Sequence, residues 1–165
     1  GIGRPSEATE AMELGALLLR SGFNFTRVGE RGMLERTFLS LKLMSDTLAR
    51  SELYANGKII WSTLTQKQLT EYQAKDDDRE GIIDHLFLTK GIEVAVLFFE
   101  LPNNRTKLSF RSQGTVDVAR FARSLTEHGG GHQKAAGALL EMKVQDSYEW
   151  VLSRLEAVLK ESGIC

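Results

Sequence analysis

Val94-Ala95-Val96-Leu97-Phe98-Phe99 is six consecutive apolar residues, four of them β-branched or aromatic, closed on the C-terminal side by Glu100 and the turn-forming Pro102-Asn103-Asn104. A run of this length without polar interruption is expected where a strand is covered on both faces, so it predicts the central strand of a layered α/β domain. Beyond the turn, Lys107-Leu108-Ser109-Phe110-Arg111 alternates strictly. Leu108 and Phe110 therefore point one way and Lys107, Ser109 and Arg111 the other, which leaves Arg111 closing a polar strand face. On the N-terminal side, Leu53-Tyr54-Ala55 and Lys58-Ile59-Ile60-Trp61 flank Asn56-Gly57, the pair best suited to the positive φ angles of a tight hairpin.

Helical patterns fill the intervals. Thr65 with Gln68 forms a capping-box pattern, and after Asp76-Asp77-Asp78 the residues Ile82, Ile83, Leu86 and Phe87 share one helical face that ends at Lys90-Gly91. Val118, Ala119, Ala122 and Leu125 mark a further helix. A last one opens on Asp146 and Glu149 as a capping box and carries Tyr148, Val151, Leu152, Leu155 and Leu159 inward. Residues 1–51 read as two helices without strands. The first is capped by Ser6, with Ala11, Leu14, Gly15, Leu17 and Leu18 on its apolar face, and the second carries Leu34, Phe38, Leu41, Met44 and Leu48 at helical spacing. The expected organisation is a helical connector over 1–51, or the tail of a further lobe, followed by an α/β domain over 52–165 built on a mixed sheet of about five strands with flanking helices.

The 165 residues are 42% hydrophobic, enough for a folded core, and 21 lysines and arginines balance 22 aspartates and glutamates. A balanced chain has no global positive field for long nucleic acid, so any nucleic-acid or nucleotide contact is expected to be local. The single cysteine, Cys165, excludes an intramolecular disulfide. Apolar runs too short for a bilayer and no signal-peptide pattern give no membrane partner and a cytoplasmic location as expectations.

Chemistry concentrates in His128-Gly129-Gly130-Gly131-His132-Gln133-Lys134-Ala135-Ala136-Gly137-Ala138. Three successive glycines cost backbone entropy on folding and are expected only where the main chain must be approached closely or must adopt positive φ. Leading into a short helix, such a loop would offer amides and a helix N-terminus to an anion, with His132 as a further donor and Lys134 as a nearby charge.

Taken in order, Ser109-Phe110-Arg111-Ser112, Val116-Asp117-Val118-Ala119 and Gly129-Gly130-Gly131-His132 with Ala135-Ala136-Gly137 resemble the C-terminal associated domain of DHH-family phosphoesterases, from about Asn56 to Leu159. Within that family the likeness is greatest to bacterial nano-RNases that trim short oligoribonucleotides and dephosphorylate 3′-phosphoadenosine 5′-phosphate, and to cyclic-dinucleotide phosphodiesterases. The resemblance implies that Arg111, Ser112, the amides of Gly129, Gly130 and Gly131, and His132 hold the phosphate or terminal nucleotide of a short oligoribonucleotide or nucleoside phosphate. It further implies a divalent-cation centre, usually manganese, on a catalytic lobe that would precede Gly1. The chain itself shows no convergent set of ligands: Asp84-His85 is followed by Leu86, and Asp76-Asp77-Asp78 reads as a solvated helix start. No catalytic residue, metal ligand or resident cofactor is therefore expected in this chain, and no turnover by it alone. The alternative is a non-catalytic RNA-binding or oligomerisation module like that of alanyl-tRNA synthetases, with a homodimer formed through the N-terminal helices.

Overall fold

The computed structural model describes residues 37–79 and 81–164 together with Glu13, Ala16, Leu17, Arg20 and Ser21. The chain divides into two compact units, Gly1–Arg36 and Thr37–Cys165. In the first, Glu13, Ala16, Leu17 and Arg20 are helical and Ser21 donates its amide to the Leu17 carbonyl. The rest of the expected first helix, including Ser6, Ala11, Leu14, Gly15 and Leu18, lies outside the described residues, as do Leu34 and Cys165.

The second unit is built on a mixed sheet whose pairing is dictated by its turns. β1 (Glu52–Tyr54) and β2 (Ile59–Leu64) pair antiparallel across Ala55 to Lys58. At that turn Asn56 and Gly57 have φ of 53° and 76°, and the Lys58 amide donates to the Ala55 carbonyl, as the sequence predicts. From β2 the chain crosses over through α2 (Gln66–Glu71), a 3₁₀ turn (Asp76–Arg79) and α3 (Ile82–Phe87). It returns as β3 (Val94–Leu101), parallel to β2. Thr65 and Gln68 cap α2 reciprocally. β4 (Arg105–Ser112) runs antiparallel to β3, followed by α4 (Val118–Leu125), β5 (Gly130–His132), β6 (Ala135–Leu140) and α5 (Val144–Glu161). The order across the sheet is β1-β2-β3-β4-β6-β5, and the α/β class is as expected.

Two cores sandwich this sheet. On one face α4 and α5 bury Phe98, Leu108, Phe110, Phe121, Leu152 and Leu155 among others, with Trp61, Phe98 and Tyr148 in mutual ring contact. Burial pushes the Tyr148 phenol above its usual pKa. On the other face α1 (Phe38–Ala49) and α3 cover β2 and β3 through Leu43, Met44, Ile60, Ile82, Leu86 and Phe99. That second cluster contains no residue of β5 or β6. The continuous apolar run Val94 to Phe99 is buried throughout, because helices stand on both sides of it.

The mixed sheet of about five strands expected from the sequence has six, the additional one being the glycine stretch Gly130–His132. Three expectations need correction. No helix follows the glycines, since Ala135–Leu140 is a strand, so no helix N-terminus is available there. The last helix starts at Val144 after Lys143, without a side-chain cap, which places Asp146 and Glu149 within the helix and not at its cap. The buried side of α1 is Ser40, Leu43, Met44 and Thr47, while Phe38 and Leu41 are exposed. The hydroxyls on that side are satisfied locally: Thr47 donates to the Leu43 carbonyl, and Ser62 on β2 donates to the Thr47 carbonyl. Although the sequence pattern groups this helix with the connector, it packs on the sheet as part of the second unit.

Candidate phosphate-binding site

Residues directly opposite one another in a sheet project to the same face. The register pairs His132 with Ala135, Ala135 with Arg111 and Arg111 with Ala95. Arg111 and His132 thus stand in one row, on one face, with only the methyl group of Ala135 between them. Their Cα atoms are two inter-strand steps apart, roughly 10 Å. One row further along, Ser109, Gly137 and Gly130 are opposite one another, so the floor between Arg111 and His132 is made of small side chains or none. Lys107 shares this face two residues beyond Ser109.

Ser112 is elsewhere. Strand parity sends it to the opposite face with Phe110 and Leu108, where it is 2% exposed and its hydroxyl has no hydrogen-bond partner among the described residues. Its amide donates to the Lys134 carbonyl, which ties β4 to the β5–β6 turn. The structure therefore brings Arg111, Gly130 and His132 to one face and leaves the Ser112 side chain off it.

The three glycines have different reasons for lacking a side chain. A Cβ at Gly129 would lie 2.0 Å from the Ala122 carbonyl oxygen, and one at Gly131, where φ is +136°, would lie 2.6 Å from that of Ala135. Both are required by packing within the chain. A Cβ at Gly130 would meet nothing within 4 Å, and its φ is ordinary, so the fold places no demand for glycine there. The Gly129 amide is already bonded to the Thr126 carbonyl. Along β5, which is an edge strand, ladder bonds to β6 engage alternate residues and leave the groups between them directed outward. The His132 side chain is exposed and makes no hydrogen bond with any described residue. Lys134 is not free to serve the loop, because its ammonium donates to the Gly114 carbonyl.

Arg111 opens on a cleft of about 520 Å³ between α3 and the polar side of β4, also lined by Arg79, Asp84, Phe99, Lys107 and Ser109. The Arg111 Nε donates to Asp84 Oδ1 at 3.0 Å, and its Nη1 donates to the Phe110 carbonyl at 3.2 Å. The Arg79 guanidinium lies 4.5 Å from the centroid of the Phe99 ring. Pattern reading passed over Asp84 as a stray fragment of a metal motif. The parallel crossover, which sets α3 above β4, is what brings it to Arg111, and nothing local in the sequence signals that. Lys107 was legible, since it shares parity with Arg111.

Asp84 and His85 are exposed, and Asp78 is engaged with the Lys75 amide and the Thr37 hydroxyl. Among the described residues no three of histidine, cysteine, aspartate and glutamate converge as a metal site. The described residues do not fit a divalent-cation centre. No described helix is long and apolar enough to cross a membrane.

A mixed sheet between two helical layers, with a bare floor framed by an arginine and a histidine, defines an α/β domain. The DHHA1 domain model matches residues 56–161, and the chain belongs to that family. Among solved structures it is similar to an exopolyphosphatase-related protein from Bacteroides fragilis. The two are 21% identical with a TM-score of 0.78, and the match covers 92% of this chain and 45% of that one. It is also similar to a pGpG-specific phosphodiesterase from Vibrio cholerae, at 14% identity and a TM-score of 0.53, covering 98% of this chain and 53% of that one. The chain thus spans about half the length of these structures.

Proposed function

We propose that this chain is the nucleotide- and phosphate-recognising part of a metal-dependent phosphoesterase acting on short oligonucleotides or nucleoside phosphates, among them 3′-phosphoadenosine 5′-phosphate and cyclic dinucleotides. The observation that carries this reading is the shared row of Arg111 and His132 around a floor where Gly130 has no side chain although the fold does not require its absence. A backbone left bare without internal cause is suited to close approach by a ligand, and an arginine fork beside it suits phosphate oxygens. Membership of the DHHA1 family supports the assignment, as does the likeness to a protein described as a pGpG-specific phosphodiesterase.

In this reading Arg111 binds a phosphoryl group, the outward groups of β5 accept the ligand along the sheet edge, and His132 donates from the far side. Hydrolysis would require a manganese-type centre with ligands from outside the described residues, which would generate the attacking hydroxide. Titrating the isotopically labelled chain with a dinucleotide tests recognition: the Gly130 and His132 resonances are expected to move at millimolar ligand or below, and stationary signals would refute the assignment.

A further inference from the structure

Arg111 carries five N–H donors. One is committed to Asp84 and one to the Phe110 carbonyl, which leaves three for a ligand. The two side chains are 31% and 55% exposed, so the open donors and the carboxylate both face the cleft. Any phosphoryl group that takes the free donors of Arg111 therefore arrives beside a negative charge already bonded to the same guanidinium. The pair is locally neutral.

A phosphodiester brings one negative charge and two non-bridging oxygens to that place. A phosphomonoester above its second ionisation, near pH 6, brings close to two charges and three oxygens. Like charges a few ångströms apart repel even at the intermediate dielectric of a protein surface, and the repulsion scales with the ligand's charge. Lys107 is four residues away along the same strand face and has no ion-pair partner among the described residues, so this opposition is local to Arg111.

Resting on the reading of the site given above, we infer that Asp84 is a specificity-determining residue, through which the Arg111 position selects a phosphodiester over a phosphomonoester, and so favours the short oligonucleotides and cyclic dinucleotides of that reading over 3′-phosphoadenosine 5′-phosphate. Substitution by asparagine separates charge from geometry, because an amide oxygen still accepts from Nε while the negative charge is gone.

The test uses adenosine 5′-monophosphate and its methyl ester, which at about pH 8 differ by close to one charge and one methyl group. Each is titrated into the full chain and into Asp84→Asn and Asp84→Ala, with resonance shifts as the readout and the buried Val151 signal as the check on folding. The wild-type chain is expected to bind the methyl ester at least threefold more tightly. In Asp84→Asn affinity for the monophosphate should rise at least threefold while the ester changes little, so that the preference closes. An unchanged preference in Asp84→Asn, or an equal loss for both ligands in the two variants, would make Asp84 only a strut for Arg111 and overturn the inference alone. Failure of both ligands to bind the folded wild-type chain would remove the phosphate site itself, and the inference with it.

Discussion

The carboxylate of Asp84, on a six-residue helix, accepts from Nε of Arg111, on the fourth strand, at 3.0 Å across 27 positions of sequence. This contact sets the direction from which the guanidinium can be approached. It also joins the crossover connection to the face that carries Gly130 and His132.

Removing the fork while keeping its stem isolates its contribution to recognition. Arg111→Met is expected to weaken dinucleotide binding by about one order of magnitude or more, as befits loss of a hydrogen bond to a charged group. Arg111→Lys should recover only part of that, because an ammonium lacks the planar fork. Thermal midpoints should change little, since the side chain is partly exposed. Calorimetric titration and a melting scan on the same samples measure both.

The three glycines should separate cleanly. Gly129→Ala and Gly131→Ala drive a methyl group into backbone and should each destabilise the chain by about 2 kcal/mol or more. Gly130→Ala should leave stability unchanged or slightly raised while weakening dinucleotide binding. Urea unfolding of the three variants, followed by ligand titration of the folded ones, distinguishes the outcomes. Loss of stability in Gly130→Ala would mean that the fold, and not a ligand, explains that residue.

The core on the far side of the sheet should be far less tolerant. Phe98 is fully buried and edge-on to both Trp61 and Tyr148. Phe98→Ala is expected to cost about 3–5 kcal/mol, read as a lower urea midpoint.

Salt dependence discriminates a pocket from a broad nucleic-acid surface. With Arg111 and Lys107 as the cations on this strand face, the logarithm of the dinucleotide binding constant should fall with that of salt concentration at a slope of roughly −1 to −2. A slope several times steeper would indicate an extended basic face and favour an RNA-binding module.

How far the sequence reveals these features depends on whether their causes are local. The Asn56-Gly57 hairpin, the Thr65–Gln68 cap and the buried run from Val94 were legible, because turn chemistry, capping and burial each act over a few residues. The strand Gly130–His132 was not, since glycines carry no alternation from which a period of two can be read. The inner side of α1 was misassigned for a different reason. Ser40 and Thr47 are buried there with their hydroxyls bonded to main-chain carbonyls, while Phe38 and Leu41 are exposed. At the candidate site, Arg111 and His132 were visible as residues. Their shared face depends on the register of β4 with β6 and of β6 with β5, and Asp84 on a crossover that no short window contains.

That register carries a consequence for how the chain tolerates insertions. Sheet parity is binary, so one extra residue that shifted β6 by a single step against β4 would turn Arg111 and His132 away from each other and expose Ala136 and Ala138 to water in the same movement. Selection for an oily interior thereby guards the alignment of a polar surface on the reverse side, and lineages can drift in surface residues without losing it. Length changes should be admitted at Pro102-Asn103-Asn104, on an exposed turn at one end of the sheet, and resisted between His132 and Ala135.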